Sequence, residues 1–166
     1  LEGVYFDINQ QGMDQMMADI ASMGGELFVM DDGWFGDKYP RKNDSSSLGD
    51  WVVDKNKLPN GIEGLLSDAK KHGVKFGIWI EPEMANTTSE LYEKHPDWVL
   101  KASERDVVLG RGGTQVVLDL ANPAVQDFVF GVVDNLMTSY PEIDYIKWDA
   151  NMSVQNHGSQ YLTKDN

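Results

Sequence analysis

The sequence contains no cysteine among its 166 residues. Disulfide bonds, thiolate nucleophiles and cysteine metal ligands are therefore excluded. Basic side chains are scarce as well, with 14 Lys and Arg against 27 Asp and Glu and a formal net charge of −13. Such an acidic chain disfavours nucleic acids and anionic membrane surfaces as partners, and we expect neither. No apolar run approaches the roughly 18 residues of a membrane span.

The chain also lacks a starting methionine and a signal peptide, since it begins Leu1-Glu2. This start predicts a processed or excised segment. Glycosylation sequons occur at Asn43, Asn86 and Asn151. The last one lies within the most distinctive motif of the chain, where a glycan would block a functional site. We therefore expect a cytoplasmic protein of bacterial origin.

The hydrophobic pattern alternates between helix and strand. Apolar residues at helical spacing predict helices around residues 13–20, 61–72, 90–94 and 123–136. Short apolar runs predict strands at residues 26–30, 74–80, 116–120 and 144–148. A chain of this length is sufficient for one domain with a substantial core. The alternation predicts an α/β fold in which helices cover a parallel sheet.

Carboxylates follow the ends of three predicted strands. They are Asp31 with Asp32, Glu81 with Glu83, and Asp149. Functional groups of parallel α/β folds gather at the carboxyl ends of the strands. Three acidic strand ends therefore predict a shared pocket at one edge of the sheet.

The most informative motif is Lys147-Trp148-Asp149-Ala150-Asn151. In an extended strand alternate side chains share a face, so Lys147, Asp149 and Asn151 are expected to point the same way. An ammonium group beside a carboxylate favours its ionised form. The pattern fits a carboxylate nucleophile, a polyol-binding pair or a buried salt bridge. The lysine argues against a metal site, because it competes with a cation for the carboxylate.

Two tryptophans, Trp34 and Trp79, lie close to the predicted strand ends. Their rings offer flat faces for the apolar side of a sugar, although core packing explains them equally well. Acids for hydroxyl groups, aromatic faces and a lysine-flanked carboxylate together predict a carbohydrate site. Glycoside cleavage uses two carboxylates, which a retaining enzyme sets about 5–5.5 Å apart.

Several longer motifs follow one another in a specific order. They are Asp31-Asp32-Gly33-Trp34-Phe35-Gly36, Leu48-Gly49-Asp50-Trp51, Trp79-Ile80-Glu81-Pro82-Glu83-Met84 and Lys147-Trp148-Asp149-Ala150-Asn151. With these motifs the chain resembles the α-galactosidases of glycoside hydrolase family 36, over nearly all of its length. The resemblance implies a (β/α)8 TIM barrel, of which residues 1–166 form roughly the N-terminal half.

The resemblance also implies an activity and a set of site residues. The activity is retaining hydrolysis of terminal α-galactosides of the melibiose and raffinose type, by a homo-oligomer that needs no cofactor or metal. Asp149 matches the family's nucleophile, at the end of the fourth barrel strand. Substrate contacts are implied for Asp31, Asp32, Trp79, Arg111, Lys147 and Asn151, with Asp31 and Asp32 binding the O4 and O6 hydroxyls of the sugar.

One catalytic group of that family has no counterpart in this sequence. Its acid/base aspartate lies on a later barrel strand, and its β-sandwich and C-terminal domains also lie outside residues 1–166. Because leaving-group protonation is worth about 10²–10⁴-fold, we expect no turnover from this chain alone. The alternatives are an α-galactosyltransferase of the raffinose-synthase type, an α-N-acetylgalactosaminidase, a non-catalytic piece with weak sugar binding, and a metal-binding α/β protein.

Overall fold

The computed structural model describes residues 3–155 and 157–162. In chain order the elements are α1 (Gln10–Ser22), β1 (Leu27–Met30), α2 (Gly61–His72), β2 (Lys75–Ile80), β3 (Met84–Asn86), α3 (Glu90–Lys94), a 3-10 turn (Pro96–Trp98), the short helical turn α4 (Arg111–Thr114), β4 (Gln115–Val117), α5 (Pro123–Ser139) and β5 (Tyr145–Trp148). The predicted alternation of helices and strands is confirmed.

Strands β1, β2 and β5 form a parallel sheet with β2 in the centre. Phe28 of β1 is aligned with Phe76 of β2, and Ile78 of β2 with Ile146 of β5. Helix α2 lies in the connection from β1 to β2, and α5 precedes β5. Parallel strands require such crossover connections, which bring the carboxyl ends of all three strands to one edge.

Local sequence determines where the main helices begin and end. The side chain of Asn9 accepts a hydrogen bond from the Gly12 N–H and caps α1. Asn122 caps α5 in the same way and is followed by Pro123 at the first helical position. Helix α2 ends at Gly73, whose φ of 71° lies in the left-handed region. No helix in the described ranges is both long enough and apolar enough to cross a bilayer.

The core lies mainly between the parallel sheet and helices α1 and α2. Fully buried members include Met17, Met30, Leu65, Phe76 and Ile78. A second cluster, with Leu91, Val116 and Val125 among its members, joins α3, β4 and α5. The apolar faces read from the sequence are therefore the faces that pack.

The predicted strand at residues 116–120 requires a correction. The observed strand β4 covers Gln115–Val117 and pairs antiparallel with β3, so it is not part of the parallel sheet. Val116 is completely buried in the second cluster. A short apolar run indicates a buried strand but carries no information about its partner or direction, which explains the error.

The long polar segment at residues 36–60 is better packed than its composition indicates. Leu48 and Leu58 are buried, and Phe35 forms a β-bridge with Val53. Three carbonyl oxygens, those of Phe6, Gly33 and Arg41, accept hydrogen bonds from the Lys57 ammonium group at 2.6–2.7 Å. This segment therefore forms an ordered cover over the end of β1.

Candidate active site

Carboxylates from all three parallel strands lie at the same edge of the sheet. Asp31 follows β1, Glu81 follows β2 and Asp149 follows β5. The backbone N–H of Asp149 donates to the carbonyl of Ile80 at 2.9 Å, which continues the β2–β5 pairing beyond the last strand residue. The expectation that the acidic strand ends lie at one edge of the sheet is confirmed by this topology, and the shared pocket stays a prediction.

The carboxylate of Asp149 accepts hydrogen bonds from three neutral donors. The indole N–H of Trp79 lies 3.0 Å and the amide of Asn151 lies 2.7 Å from Oδ2. The backbone N–H of Ala150 lies 2.9 Å from Oδ1. Partial burial raises the pKa of Asp149, but these hydrogen bonds and the charge of Lys147 outweigh burial, so its pKa lies below the ordinary value. Asp149 is therefore ionised at neutral pH.

Lys147 does not pair directly with Asp149, which corrects the prediction that the two side chains form an adjacent pair. Its ammonium nitrogen lies 2.9 Å from Oδ2 of Asp31, across the central strand. Burial raises the pKa of Asp31, but the hydrogen bond from Lys147, the backbone N–H of Asp32 and the charge of Lys147 together outweigh burial, so the pKa is lowered overall. Lys147 acts on Asp149 through its charge alone. The ion pair therefore joins β1 to β5 at the site.

Asp32 is held differently from its neighbour Asp31. The guanidinium group of Arg41 donates to both of its oxygens, at 2.9 and 2.6 Å. Both side chains are buried, with 2% of Arg41 and 5% of Asp32 exposed. Arg41 also donates to Oδ1 of Asn86 at 3.0 Å. A sugar contact from Asp32 remains a prediction, and in this structure the carboxylate serves a buried ion pair.

The two tryptophans near the strand ends do not present open ring faces. Trp34 is 0% exposed and Trp79 is 2% exposed. Trp79 stacks on Phe35 with a centroid distance of 6.2 Å and also packs against Trp51. The interpretation of these rings as flat sugar-binding surfaces is therefore corrected, because both rings belong to the core. Trp79 reaches the site only through its indole N–H.

Arg111 lies on α4 and is half exposed, and its guanidinium group lies 3.3 Å from Oδ1 of Asp44. The same carboxylate oxygen lies 3.7 Å from the guanidinium of Arg41. Arg111 is thus connected to Asp32 through Asp44 and Arg41 rather than to Asp149. Its assignment as a substrate contact remains a prediction.

Glu81 was visible in the sequence as a strand-end carboxylate but received no role there. It is 1% exposed, and burial raises its pKa to about 6. One of its oxygens accepts the backbone N–H of Asn151, and the other lies 3.2 Å from the side-chain amide nitrogen of Gln115. Glu83, by contrast, accepts from the indole of Trp148. The structure therefore brings Glu81, and not Glu83, into contact with the Asp149 turn.

The carboxylates at this edge accept hydrogen bonds from side chains and backbone groups of the protein itself. Asp31 faces Lys147, Asp32 faces Arg41, and Asp149 accepts from neutral groups. Within residues 3–155 and 157–162, no group of three or more His, Cys, Asp or Glu side chains is arranged to hold a metal ion. The arrangement is suited to binding hydroxyl groups around Asp149, whose charge is not engaged in a direct ion pair with any described residue, beside the Asp31–Lys147 pair.

Comparison with known proteins yields consistent matches. The sequence model of the Melibiase family matches residues 1–166. A probable alpha-galactosidase C from Aspergillus flavus is 45% identical over 160 residues, which are 92% of this chain and 21% of that protein. The crystal structure of a variant of the GH36 alpha-galactosidase AgaA from Geobacillus stearothermophilus, in complex with 1-deoxygalactonojirimycin, superposes with a TM-score of 0.88 at 42% identity, covering 98% of this chain and 22% of that one.

The curated relatives are much longer than this chain, which spans about a fifth of their length. A crystal structure of an AgaA variant in complex with raffinose matches with the same TM-score of 0.88. The three parallel strands described above thus correspond to part of a TIM barrel, as the sequence resemblance implied. The chain belongs to the Melibiase family, and the solved structures that it resembles are GH36 alpha-galactosidases.

Proposed function

We propose that this chain carries the nucleophile of a longer, retaining α-galactosidase that acts on terminal α-galactosides of the melibiose and raffinose type. The observation that carries the proposal is the environment of Asp149. Three hydrogen bonds orient this carboxylate at the end of β5, and its lowered pKa keeps it ionised. The raffinose complex of the relative AgaA supports the class of substrate.

In the proposed reaction, Asp149 attacks the anomeric carbon of galactose and forms a galactosyl ester. The bond to the leaving oxygen breaks, and that oxygen takes a proton from an acid supplied by the remainder of the protein. Water then attacks the ester with the same group acting as base, which gives retention of configuration. Trp79 and Asn151 hold Oδ2 of Asp149 during this sequence.

The contacts to the sugar are proposed for the polar groups around Asp149. Asn151 and Lys147 are exposed enough to be reached by a hydroxyl group, and Asp31 lies against Lys147. We propose Asp32, Trp79 and Arg111 as further contacts on the strength of the family resemblance. Asp32 and Trp79 are buried, so a sugar would have to reach a polar atom at the rim of each side chain or displace neighbouring groups. Arg111 is half exposed and would have to leave its ion pair with Asp44.

We further propose that the enzyme is a cytoplasmic bacterial homo-oligomer. The structural support for the compartment is the position of Asn151. Its side-chain amide donates to Asp149, and a glycan on that nitrogen would disrupt the donor. Fractionation of the source cells, together with sedimentation of the purified protein, tests both parts of this proposal.

Substitution of Asp149 tests the proposed nucleophile. In the full-length protein that contains this chain, Asp149→Gly is expected to lower kcat for an aryl α-galactoside by at least about 10³-fold, because the covalent step is lost. Azide is expected to restore turnover and to give the β-galactosyl azide, because azide takes the place of the missing carboxylate, attacks the β face of the anomeric carbon and displaces the aryl group. A fully active Asp149→Ala enzyme would show that the assignment is wrong.

A second candidate is that residues 1–166 in isolation bind sugar weakly and do not turn it over. The acid that protonates the leaving group is worth about 10²–10⁴-fold, and the resemblance implies that it lies outside this chain. The chain should be assayed alone and after mixing with the separately produced remainder of the protein. Robust hydrolysis by the chain alone would contradict this candidate. Transfer of the galactosyl group to sucrose by the mixed or full-length protein would instead indicate a galactosyltransferase.

A further inference from the structure

We propose that Glu81 is a positioning residue for the nucleophile, because its buried carboxyl group anchors the turn that carries Asp149. This inference rests on the proposed function of Asp149 and adds a role that the strand-end pattern did not assign. The hydrogen bonds of the Glu81 carboxyl group go to Asn151 and Gln115 rather than to Asp149. It acts through the backbone of Asn151, two residues farther along the chain.

Three consecutive residues at the end of β2 hold the end of β5. The side chain of Trp79 donates to Oδ2 of Asp149 at 3.0 Å. The carbonyl of Ile80 accepts the N–H of Asp149 at 2.9 Å. The carboxyl group of Glu81 accepts the N–H of Asn151. The turn at residues 149–151 is therefore attached to β2 on both sides of Ala150, and Glu81 forms the attachment beyond the strand.

Glu81 is itself fixed in place by a second layer. Gln115 of β4 is 2% exposed, and its amide nitrogen lies 3.2 Å from Oε2 of Glu81 and 3.2 Å from the sulfur of Met84. The antiparallel β3–β4 pair thus supplies the contact to the second oxygen of the carboxyl group, while Asn151 contacts the first. Because both oxygens of the carboxyl group are held, the position of Glu81 determines the position of the Asn151 backbone.

The chemistry of the pocket indicates that Glu81 is not there for stability alone. Within the described ranges, its carboxyl group accepts hydrogen bonds from neutral donors, and burial of a carboxyl group without a cationic partner disfavours the ionised form. An apolar side chain of similar size would avoid this cost. A costly buried carboxyl group whose one backbone contact is to the Asp149 turn is best explained by its effect on that turn.

The polar atoms around Glu81 also define a conservative replacement. Oε1 of Gln115 is buried and has no hydrogen-bond partner among the described residues. In Glu81→Gln, the new amide oxygen accepts the Asn151 N–H, and the new amide nitrogen donates to Oε1 of Gln115 after that amide turns over. In Glu81→Leu, neither contact forms. The two variants therefore separate the hydrogen-bonding role from packing.

The test compares these variants in the full-length enzyme. Because misplacement of a reacting group by about 1 Å costs as much as 10²-fold, Glu81→Leu is expected to lower kcat by about 10–100-fold. KM should change by a smaller factor than kcat, because Asn151 is the only proposed sugar contact on the displaced segment, whereas Lys147 and Asp31 lie outside it. Glu81→Gln is expected to keep kcat within about fivefold of the parent enzyme while altering the pH profile, because an ionisable group is removed.

Glu83→Gln provides a matched control, since it makes the same change two residues away, where the side chain contacts the indole of Trp148 instead. If Glu81→Leu fails to fold, as judged by its melting temperature, Gln115→Leu tests the same proposal. It removes the second contact of Glu81 and is expected to lower kcat by about threefold to tenfold with KM unchanged.

The outcomes distinguish this inference from the proposed function. Loss of activity in Asp149→Ala with wild-type kcat in Glu81→Leu and Gln115→Leu would overturn the positioning role alone. Equal losses in Glu81→Gln and Glu81→Leu would also overturn it, because the acidic group itself would then be required. Retained activity in Asp149→Ala would show that the proposed function has failed.

Discussion

The ends of β1 and β5 hold their carboxylates in opposite ways. At β1, Asp32 is almost completely buried and both of its oxygens accept from the guanidinium of Arg41. At β5, Asp149 is half-buried and accepts hydrogen bonds from three neutral donors, the side chains of Trp79 and Asn151 and the backbone N–H of Ala150. One carboxylate is neutralised by a cation, whereas the other is oriented and keeps its charge.

This difference separates a structural carboxylate from a reactive one. The carboxylate of Asp32 is fixed by two hydrogen bonds from Arg41, so both of its oxygens already have a cationic donor and are poorly placed to attack a substrate. A charge that is held by an indole, an amide and a backbone N–H is fixed in direction and still negative, as a nucleophile requires. Two aspartates near the same edge of the sheet can therefore have different roles because their donors differ.

The largest effect on stability is expected from breaking the β1 ion pair. Arg41→Met leaves the buried carboxylate of Asp32 without its cation, and the loss of one partner of a buried pair costs about 3–5 kcal/mol. The measurement is the free energy of unfolding from denaturant titration. Lys38→Met removes an exposed ion pair with Glu93 and serves as the control, for which no resolvable change is expected. Equal effects from the two variants would contradict the structural role of Asp32.

A smaller effect, on activity, is expected at the β5 end from Trp79→Phe. Loss of a hydrogen bond to a charged group costs about 1.5–3 kcal/mol, so kcat should fall by about 10–100-fold. Removal of this donor raises the pKa of Asp149, because the bond favours the ionised form. The acid limb of the kcat/KM profile should therefore move to higher pH.

Trp34→Phe is the matched control for that substitution. Trp34 is equally buried in the same aromatic cluster, but its indole donates to the carbonyl of Trp79 rather than to Asp149. It should lose similar packing without moving the acid limb. An acid limb that moves equally in both variants would show that packing, not the hydrogen bond, sets the pKa of Asp149.

Glu81, at the end of β2, is expected to make the stability of the protein depend on pH, with an effect between those expected at β1 and at Lys147. Burial raises the folded-state pKa of Glu81 to about 6. Its contribution to stability is fully present below its ordinary pKa of about 4.3 and is lost as pH rises through about 6. Between pH 4 and pH 8, the parent protein should lose about 2 kcal/mol relative to Glu81→Gln. If the free energies of unfolding of the parent protein and of Glu81→Gln changed equally between pH 4 and pH 8, the raised pKa of Glu81 would be contradicted.

The smallest effect is expected from the half-exposed ion pair that links the two regions. The Lys147 side chain is 42% exposed, and such pairs contribute about 0–1 kcal/mol. Lys147→Met should therefore change the free energy of unfolding by no more than about 1 kcal/mol. If Lys147 also contacts the sugar as proposed, KM should rise clearly in Lys147→Met even though the free energy of unfolding hardly changes. An unchanged KM would remove Lys147 from the proposed substrate contacts.

The sequence pattern predicted the fold well where side-chain period and helix caps carry the information. Helix α2 was predicted at its observed bounds, and the strand around residues 74–80 differs by one residue from β2. The strand at β4 was recognised, but its antiparallel partner was not. Periodicity reports which faces are buried, whereas pairing depends on how separate segments meet in space.

The site was predicted less completely than the fold. Asp149 and Asn151 do lie together, as their alternate spacing indicated. Arg41 and Lys57 were missed because both lie in the long polar segment, where no period distinguishes a buried cation from an exposed one. Lys57 donates to three backbone carbonyls, a role that leaves no mark in the side-chain pattern.

Local residue order was sufficient to predict the alternating elements and the acidic ends of the parallel strands, because side-chain period, caps and turn residues act over a few positions. It could not predict which charge meets which. Lys147 pairs with Asp31 across 116 positions, and Glu81 accepts from Asn151 across 70. These contacts depend on the order of strands in the sheet, and that order is set by the packing of the whole domain.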